Sequence, residues 1–134
     1  MKKTLVLDLD NTLVASFSSS KQQLFGICDL VVSIPREKPY DTLKIVVFKR
    51  PYLDEFLEIA CQLFDVWIFT ASDKIYAQPV CEQLLNSKER FKGCLFRESL
   101  TKGIKDLSIF NVDLSQIMII DDDELNFQLQ PKSK

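Results

Sequence analysis

The sequence contains no histidine, and none of its four cysteines forms a C-x-x-C pair. These absences exclude nucleophile sites built on a serine–histidine or cysteine–histidine pair, and they remove most kinds of zinc site. The cysteines lie instead among apolar residues, at Cys28, Cys61, Cys81 and Cys94. We therefore expect reduced thiols packed in the core of an intracellular protein.

The sequence also has no large excess of positive or negative charge and no long apolar run. The 17 basic and 19 acidic residues give a formal net charge of −2, so no overall basic field attracts nucleic acid or an anionic membrane. No apolar run approaches the ~20 residues that span a bilayer, and Asp8 and Asp10 interrupt the N-terminal apolar stretch too early for a signal peptide. We expect no direct nucleic-acid binding, no membrane contact, and a nuclear or cytoplasmic location.

The length of 134 residues suits one domain, 1–134. Apolar runs predict four buried strands, at 4–9, 65–70, 93–96 and 116–121. Helical spacing predicts helices from Pro51 onward and over 71–87, with a loop and one helical turn at 103–110. Continuously apolar strands that alternate with helices are typical of a parallel sheet with helices on both faces.

The remaining patterns lie near the N-terminus. The β-branched runs 28–34 and 42–48 flank a polar segment with two prolines, which predicts a hairpin. We interpret it as an insertion, about 25–48, near one end of the sheet. The serine-rich segment 15–23 predicts a loop.

Residues able to do chemistry follow three of the predicted strands. They are Asp8 and Asp10, then Thr70 and Ser72, then Asp121, Asp122 and Asp123. Ligands of open α/β sheets bind beyond the carboxyl ends of the strands. Carboxylates gathered there cannot all stay ionised without positive partners. A hard cation such as Mg²⁺ and a lysine before the last strand, Lys102 or Lys105, would supply them.

Such a set is sufficient for phosphoryl transfer. A carboxylate can itself attack phosphorus and form an aspartyl-phosphate. A lysine, a hydroxyl and backbone N–H groups can bind the oxygens of the transferring phosphoryl group. No histidine or cysteine is needed.

The motif DLDNTLV (8–14) resembles the aspartate motif of the haloacid dehalogenase superfamily of phosphatases. Further motifs follow in order along the chain: KRPYLDEFL (49–57), FTAS (69–72) with Tyr76 following, CLFRES (94–99) and KDLS (105–108). They resemble those of the FCP/SCP group of RNA polymerase II C-terminal-domain phosphatases. This group is also called the NLI-interacting-factor-like family. The resemblance implies a three-layer Rossmann-like α/β fold with a small β-hairpin insertion and no large cap. It also implies that C-terminal elements of the family are missing here.

The resemblance implies roles for the matching residues. Asp8 would be the nucleophile and a Mg²⁺ ligand. Asp10 would be the general acid and then the general base, and its carbonyl would also reach the metal. Thr70 would hydrogen-bond the phosphoryl group, and Lys105 would stabilise the charge of nucleophile and phosphoryl group.

Further positions are implied for metal and substrate. Asp122, which stands where the group usually has Asn, would be a second metal ligand, with Asp121 beside it. Ser72 and Arg97 are candidate substrate contacts. Arg97 could equally be structural, and Lys102 is a rival for the role of Lys105.

The leading hypothesis is a monomeric, Mg²⁺-dependent phosphoserine/phosphothreonine protein phosphatase, acting on a phosphorylated protein or peptide such as the polymerase tail. Two alternatives stay open. One is a small-molecule phosphomonoesterase of the same superfamily, and the other is a non-catalytic protein-binding member.

Overall fold

The computed structural model describes residues 2–18, 26–38, 42–84 and 90–127. In chain order the strands and α-helices are β1 (Lys3–Leu7), β2 (Val14–Ser18), β3 (Leu30–Ile34), β4 (Leu43–Lys49), α1 (Leu53–Leu63), β5 (Phe64–Phe69), α2 (Lys74–Leu84), β6 (Gly93–Leu95) and β7 (Ile117–Ile120). Short 3-10 turns lie at Arg97–Ser99, Leu107–Phe110, Leu114–Gln116 and Glu124–Phe127.

β1 lies inside a four-stranded parallel sheet whose order is β6-β5-β1-β7. Its residues Leu5, Val6 and Leu7 are buried on both faces of the sheet, which accounts for the continuous apolar run. From β1 the chain crosses to β5 and β6 on one side and then returns to β7 on the other. This reversal opens a crevice beyond the carboxyl ends of β1 and β7, where such sheets bind ligands.

Alternate side chains of β1 face two separate cores. Leu5 and Leu7 belong to the larger core, which includes buried residues of α1, α2, β5 and the small second sheet. Val6 belongs to the smaller core, with Phe69, Leu107, Ile117 and Ile119. The predicted parallel sheet and three-layer arrangement are confirmed, although within the described residues both α-helices lie on the same face.

The third layer comes from the connection between β6 and β7. It contains the 3-10 turn Leu107–Phe110, as the predicted helical turn implied. Asp106 caps this turn by accepting a hydrogen bond from the N–H of Ser108 at 3.0 Å. Asn111, at φ 53°, ends it in the left-handed conformation. Caps at both ends of so short a segment leave no room for an α-helix.

The small second sheet is antiparallel, with the order β2-β4-β3. β3 and β4 are the predicted hairpin. The loop predicted over 15–23 is wrong for residues 15–18, which lie in β2 and pair with β4. Two interactions outweigh the low strand propensity of the serines. One is the main-chain pairing with β4, and the other is the contact between the rings of Phe17 and Phe48, whose centroids lie 6.2 Å apart. Residues 19–25 lie outside the described residues.

Both α-helices begin later than predicted. α1 begins two residues after Pro51. α2 begins at Lys74, because the main-chain carbonyl of Asp73 accepts the first hydrogen bonds of the helix. Residues 71–73 therefore form a loop at the carboxyl end of β5, facing the crevice. The predicted residues 85–87 of α2 lie outside the described residues.

Gly93 begins β6 beside the ring of Trp67, its register partner on β5. A Cβ atom added at Gly93 would lie 2.5 Å from Cζ3 of Trp67. The indole is held in place by Phe110, whose ring centroid lies 5.2 Å from that of Trp67. Only glycine fits here without moving the indole.

We expect Gly93→Ala to lower the free energy of unfolding by about 1–3 kcal/mol, because the indole must leave its packing on Phe110. Urea unfolding measures this loss. In a Trp67→Leu background the same change should cost less, because the obstructing ring is gone. Strict additivity of the two substitutions would show that Trp67 is not the cause.

Candidate active site

Asp8 follows β1 directly, and its main-chain N–H donates to the carbonyl of Ile120 at 2.9 Å. Its carboxylate is buried. Lys105 Nζ donates to Oδ1 of Asp8 at 2.7 Å, and the Thr12 hydroxyl donates to Oδ2 at 3.1 Å. Both carboxylate oxygens are therefore held in one orientation by fixed donors.

Lys105 is only 2% exposed, and its ammonium lies between two carboxylates. Besides Asp8 it donates to Oδ2 of Asp121, whose side chain is 1% exposed. Asn126 joins these residues: its Oδ1 accepts from the N–H of Lys105 at 2.8 Å, and its Nδ2 donates to Oδ2 of Asp121 at 3.1 Å. Because a buried ammonium is tolerated only when it is paired, this network fixes a positive charge beside Asp8.

The structure separates the two lysines that the sequence left as alternatives. Lys102 is exposed and lies in a tight turn, at φ 51°. The turn is closed by two main-chain hydrogen bonds between Thr101 and Ile104, of 2.8 and 3.0 Å. Lys105 follows this turn and points into the crevice, so Lys105 is the lysine that contacts Asp8.

Asp8, Asp121 and Asp122 each place a carboxylate oxygen within 4.8 Å of the others. When all three are ionised they carry two more negative charges than Lys105 balances, so the group favours a further cation. Oxygen-only ligands suit a hard divalent ion. Asp8 and Asp122 are better placed as ligands than Asp121, because both Asp121 oxygens already accept hydrogen bonds, Oδ1 from the N–H of Asp123 at 2.9 Å.

Burial and a side-chain hydrogen bond with Asp122 raise the pKa of Asp8 from 3.8 to about 7, despite the lowering effect of Lys105. Without a metal, the nucleophile candidate is thus largely protonated below neutral pH. A divalent cation would favour the ionised form, because it binds only the carboxylate.

Asp10 belongs to a second hydrogen-bonded group. Its Oδ2 accepts from the Ser72 hydroxyl at 2.5 Å, and its Oδ1 accepts from the Tyr76 hydroxyl at 2.7 Å. Burial raises the pKa of Tyr76, so this phenol stays protonated and remains a donor. Asp10 is thus oriented by the loop after β5 and by the first turns of α2, not by the lysine network.

Thr70 is buried at the end of β5, and its hydroxyl oxygen accepts from the N–H of Ser72 at 3.1 Å. Its own N–H donates to the carbonyl of Leu95 on β6 at 2.9 Å. Arg97 is bound to the same loop: its Nε donates to the carbonyl of Ala71 at 3.0 Å, and Nη1 lies 3.1 Å from Asp73 Oδ1. The structure therefore gives Arg97 a role in holding the loop, while its guanidinium stays mostly exposed.

The turn after Asp10 is held from the other side by Arg50. Asn11 adopts the left-handed conformation at φ 64°, which turns the chain back towards β2. Arg50 Nε donates to the carbonyl of Thr12 at 2.7 Å, and Nη2 donates to that of Asn11 at 3.4 Å. Arg50 thereby fixes the main chain that carries both aspartates.

Four contributors were not assigned a site role from the sequence: Thr12, Tyr76, Arg50 as a structural residue, and Asn126. Asn126 is 6% exposed, and a buried polar side chain requires partners. Its burial could not be read from ELNF, because the turn at Glu124–Phe127 is too short for a helical pattern. Thr12 carried a weak signal, since it lies four residues after Asp8 in a polar turn.

A groove of about 520 Å³ adjoins the carboxylates on the side of α1. Its lining includes the carboxylates of Asp121 and Asp122 and the apolar side chains of Leu13, Leu53, Phe56 and Ile120. Tyr52 at the rim is 82% exposed. A lining that combines charged and apolar side chains fits a ligand that joins a charged group to an apolar segment.

The sequence profile of the NLI interacting factor-like phosphatases matches residues 3–134. The chain belongs to this family. The recognition made from the sequence motifs is thereby confirmed, and the site described above lies in the family domain. None of the described helices is long and apolar enough to cross a membrane.

Among curated relatives, this family member is 38% identical over 130 residues to "Nuclear envelope morphology protein 1" of Schizosaccharomyces pombe, covering 94% of the chain and 26% of that protein. It is 39% identical over 136 residues to human "CTD small phosphatase-like protein", covering 98% and 47%. It is 35% identical over 143 residues to zebrafish "CTD nuclear envelope phosphatase 1B", covering 97% and 56%. The chain thus spans between a quarter and somewhat over half of the length of these relatives.

Solved structures show the same fold. Fcp1, described as an essential RNA polymerase II CTD phosphatase, superposes with a TM-score of 0.81 at 21% identity, covering 97% of this chain and 40% of Fcp1. A fission yeast Fcp1 variant bound to beryllium fluoride gives 0.78 at 20% identity, covering 93% and 38%. The haloacid dehalogenase fold inferred from the motifs is confirmed for this family member.

We expect Lys105→Met to lower the free energy of unfolding of the metal-free protein by about 3–5 kcal/mol, because two buried carboxylates lose their cation. The loss should be largest above the Asp8 pKa and should shrink when a divalent ion is added. Urea unfolding with chelator and with metal measures both effects. Lys102→Met is the matched control and should stay within about 0.5 kcal/mol of the unmodified chain. Equal effects of the two substitutions would contradict the buried ion-pair network.

The raised pKa of Asp8 predicts how stability varies with pH in chelator. The unfolded chain releases the Asp8 proton near 3.8, whereas the folded protein keeps it up to about 7. The folded state therefore binds more protons in this window, and the free energy of unfolding falls as pH rises from about 4 to about 7. Urea unfolding at a series of pH values should show this slope, and Asp8→Asn should flatten it. If the free energy of unfolding rises with pH instead, Lys105 lowers the pKa of Asp8 more than burial raises it.

Proposed function

We propose that this domain is a Mg²⁺-dependent phosphoserine/phosphothreonine protein phosphatase that works through an aspartyl-phosphate on Asp8. The observation that carries the proposal is the buried, doubly oriented Asp8 carboxylate between Lys105 and Asp122. A structural acid at a strand end needs neither a buried ammonium nor a second carboxylate. A nucleophile that must meet a phosphate dianion needs both positive charge and a fixed direction.

In the first half of the proposed reaction, an oxygen of Asp8 attacks phosphorus, and the bond from phosphorus to the serine or threonine oxygen breaks. Asp10 delivers a proton to the departing oxygen. The hydroxyls of Ser72 and Tyr76 hold the Asp10 carboxyl group for this transfer. Lys105 stabilises the negative charge on Asp8 and the phosphoryl group throughout.

In the second half, water attacks the phosphorus of the aspartyl-phosphate and releases inorganic phosphate. Asp10, now ionised, takes the proton from that water, so the same group serves as acid and then as base. Asp8 is regenerated as a carboxylate beside Lys105. The Thr70 hydroxyl and the N–H groups of the loop after β5 are the proposed partners of the phosphoryl oxygens.

Asp8, Asp122 and the main-chain carbonyl of Asp10 are the proposed ligands of Mg²⁺. When bound, the ion neutralises charge on the phosphoryl oxygens and keeps Asp8 ionised. The oxygen-only donors and the excess negative charge at the crevice fit this ion.

The proposed substrate is a phosphorylated protein segment. Within the described residues, the connections around the crevice hold only the small sheet β2-β4-β3 and no large cap, so an extended peptide can reach Asp8. Relatives named CTD phosphatases make serine phosphates of the polymerase tail the first peptides to examine. Two relatives named for the nuclear envelope make the nucleus the first compartment to examine.

Turnover of para-nitrophenyl phosphate with Mg²⁺ and with chelator tests the chemistry. We expect metal-dependent turnover that falls by about a thousandfold or more in Asp8→Asn. Asp10→Asn should behave differently. Nitrophenolate is a good leaving group and needs little protonation, so in this variant the first half of the reaction proceeds and the second half stalls. We expect a burst of nitrophenol stoichiometric with the protein, and a phosphate adduct on the peptide that contains Asp8.

Phosphopeptides then test the substrate class, with small phosphate esters as comparison. Higher kcat/KM for phosphoserine peptides supports the proposal. Efficient turnover of small esters alone would favour the small-molecule phosphomonoesterase. Phosphopeptide binding by a folded, Mg²⁺-loaded protein without any turnover would instead indicate a non-catalytic binding member.

A further inference from the structure

Cys81 and Cys94 meet across the contact between α2 and β6, although they are thirteen positions apart in the sequence. Both line one cleft of about 340 Å³, together with Phe91 and Phe96 and the exposed Lys74. The Cys81 thiol lies within hydrogen-bond reach of the Cys94 sulfur. Cys81 is 5% exposed, while Cys94 is only partly buried. The cleft therefore gives solvent a route to a pair of adjacent thiols.

The pair lies on two elements, α2 and β6, that are each linked to a residue holding Asp10. Cys81 is on α2, five residues after Tyr76, whose hydroxyl donates to Asp10. Cys94 is on β6, three residues before Arg97, whose main-chain N–H donates to the Ser72 carbonyl at 3.1 Å. We therefore expect a movement of α2 against β6 to displace the Tyr76 hydroxyl relative to the Ser72 hydroxyl.

We propose that Cys81 and Cys94 form a reversible disulfide when the protein meets a peroxide, and that this bond suppresses turnover at the Asp10 site. The bond itself requires only the two thiols and the oxidant. Its effect on turnover rests on the phosphatase function proposed above.

The chemistry balances in two steps. The Cys94 thiolate attacks one oxygen of hydrogen peroxide, the O–O bond breaks, and Cys94 becomes a sulfenic acid with release of water after proton transfer. The Cys81 sulfur then attacks the Cys94 sulfur, the S–O bond breaks, and a second water leaves. Two thiols are oxidised to one disulfide, and one peroxide is reduced to two waters.

Cys94 is the better attacking thiol. It is the more exposed of the two, and the hydrogen bond from Cys81 lowers the pKa of Cys94. The same hydrogen bond, together with burial, raises the pKa of Cys81, so Cys81 stays a thiol until Cys94 is oxidised. This division between a first thiol and a resolving thiol is typical of redox-sensitive pairs.

A disulfide is only ~2 Å long and hydrogen-bonded sulfurs are farther apart, so we expect bond formation to shift α2 relative to β6. The shift is transmitted along α2 to Tyr76, which then loses its geometry towards Asp10. We expect turnover to fall about tenfold or more, since small misplacements around a proton-transfer group are costly.

Peptide mapping tests bond formation without reference to activity. The reduced, Mg²⁺-loaded protein is treated with hydrogen peroxide, blocked with an alkylating agent and digested with trypsin. Cleavage after Lys74, Lys88, Lys92 and Arg97 places the two cysteines in separate peptides. We expect one linked pair, IYAQPVCEQLLNSK with GCLFR, which separates on reduction. Equal alkylation of all four cysteines after peroxide, or linkage to Cys28 or Cys61, would overturn the proposal.

Activity assays test the consequence with matched variants. The Cys28→Ser/Cys61→Ser protein keeps the pair, and its turnover should fall with peroxide and return with dithiothreitol. The Cys81→Ala and Cys94→Ala proteins should keep their turnover under the same treatment. Loss of turnover in these two variants would assign the inhibition to another oxidation. A mapped disulfide in a protein without any turnover would leave the bond established and reject only the phosphatase function.

Discussion

The ammonium of Lys105 is the group on which the site depends. It is buried between Asp8 and Asp121, and Asn126 holds both Lys105 and Asp121. If Asp8, Asp121 or Asn126 is removed, a charged or polar group loses its partner at a site that is shielded from water. The network therefore orients the nucleophile candidate and joins β1, the segment after β6 and the segment after β7 in one electrostatic unit.

The sheet topology explains why two separate networks meet at one crevice. β1 lies at the point where the strand order reverses, so its carboxyl end is flanked by β7 on one side and β5 on the other. The lysine network comes from the β7 side and orients Asp8. The hydroxyl network comes from the β5 side and orients Asp10. The two aspartates are only two residues apart, yet they stand in different electrostatic surroundings, which suits groups expected to play different parts.

Much of this arrangement could be predicted from the sequence, because its signals are local. Apolar runs that end in acids indicated the strands and the crevice, and the ordered motifs indicated the family. What could not be predicted depends on contacts between distant segments. The strand at Val14–Ser18 forms because β4 pairs with it, and the choice of Lys105 over Lys102 follows from a turn closed between Thr101 and Ile104. The burial of Asn126 goes with its hydrogen bonds to Lys105 and Asp121, and Lys105 lies 21 positions away in the sequence.

The pairing of Asp8 with Lys105 joins residues 97 positions apart in the sequence, and the N–H of Asp8 is bonded to the end of β7. During synthesis the first strand leaves the ribosome long before these partners exist. Until the segment that ends at Asn126 has emerged, Asp8 and Asp10 are two solvated acids on an incomplete sheet, with no lysine beside them. The nucleophile candidate is thus made well before the residues that complete its surroundings. A nascent or prematurely ended chain that lacks β7 has no assembled Asp8–Lys105–Asp121 centre, however much of the remaining sheet it has formed.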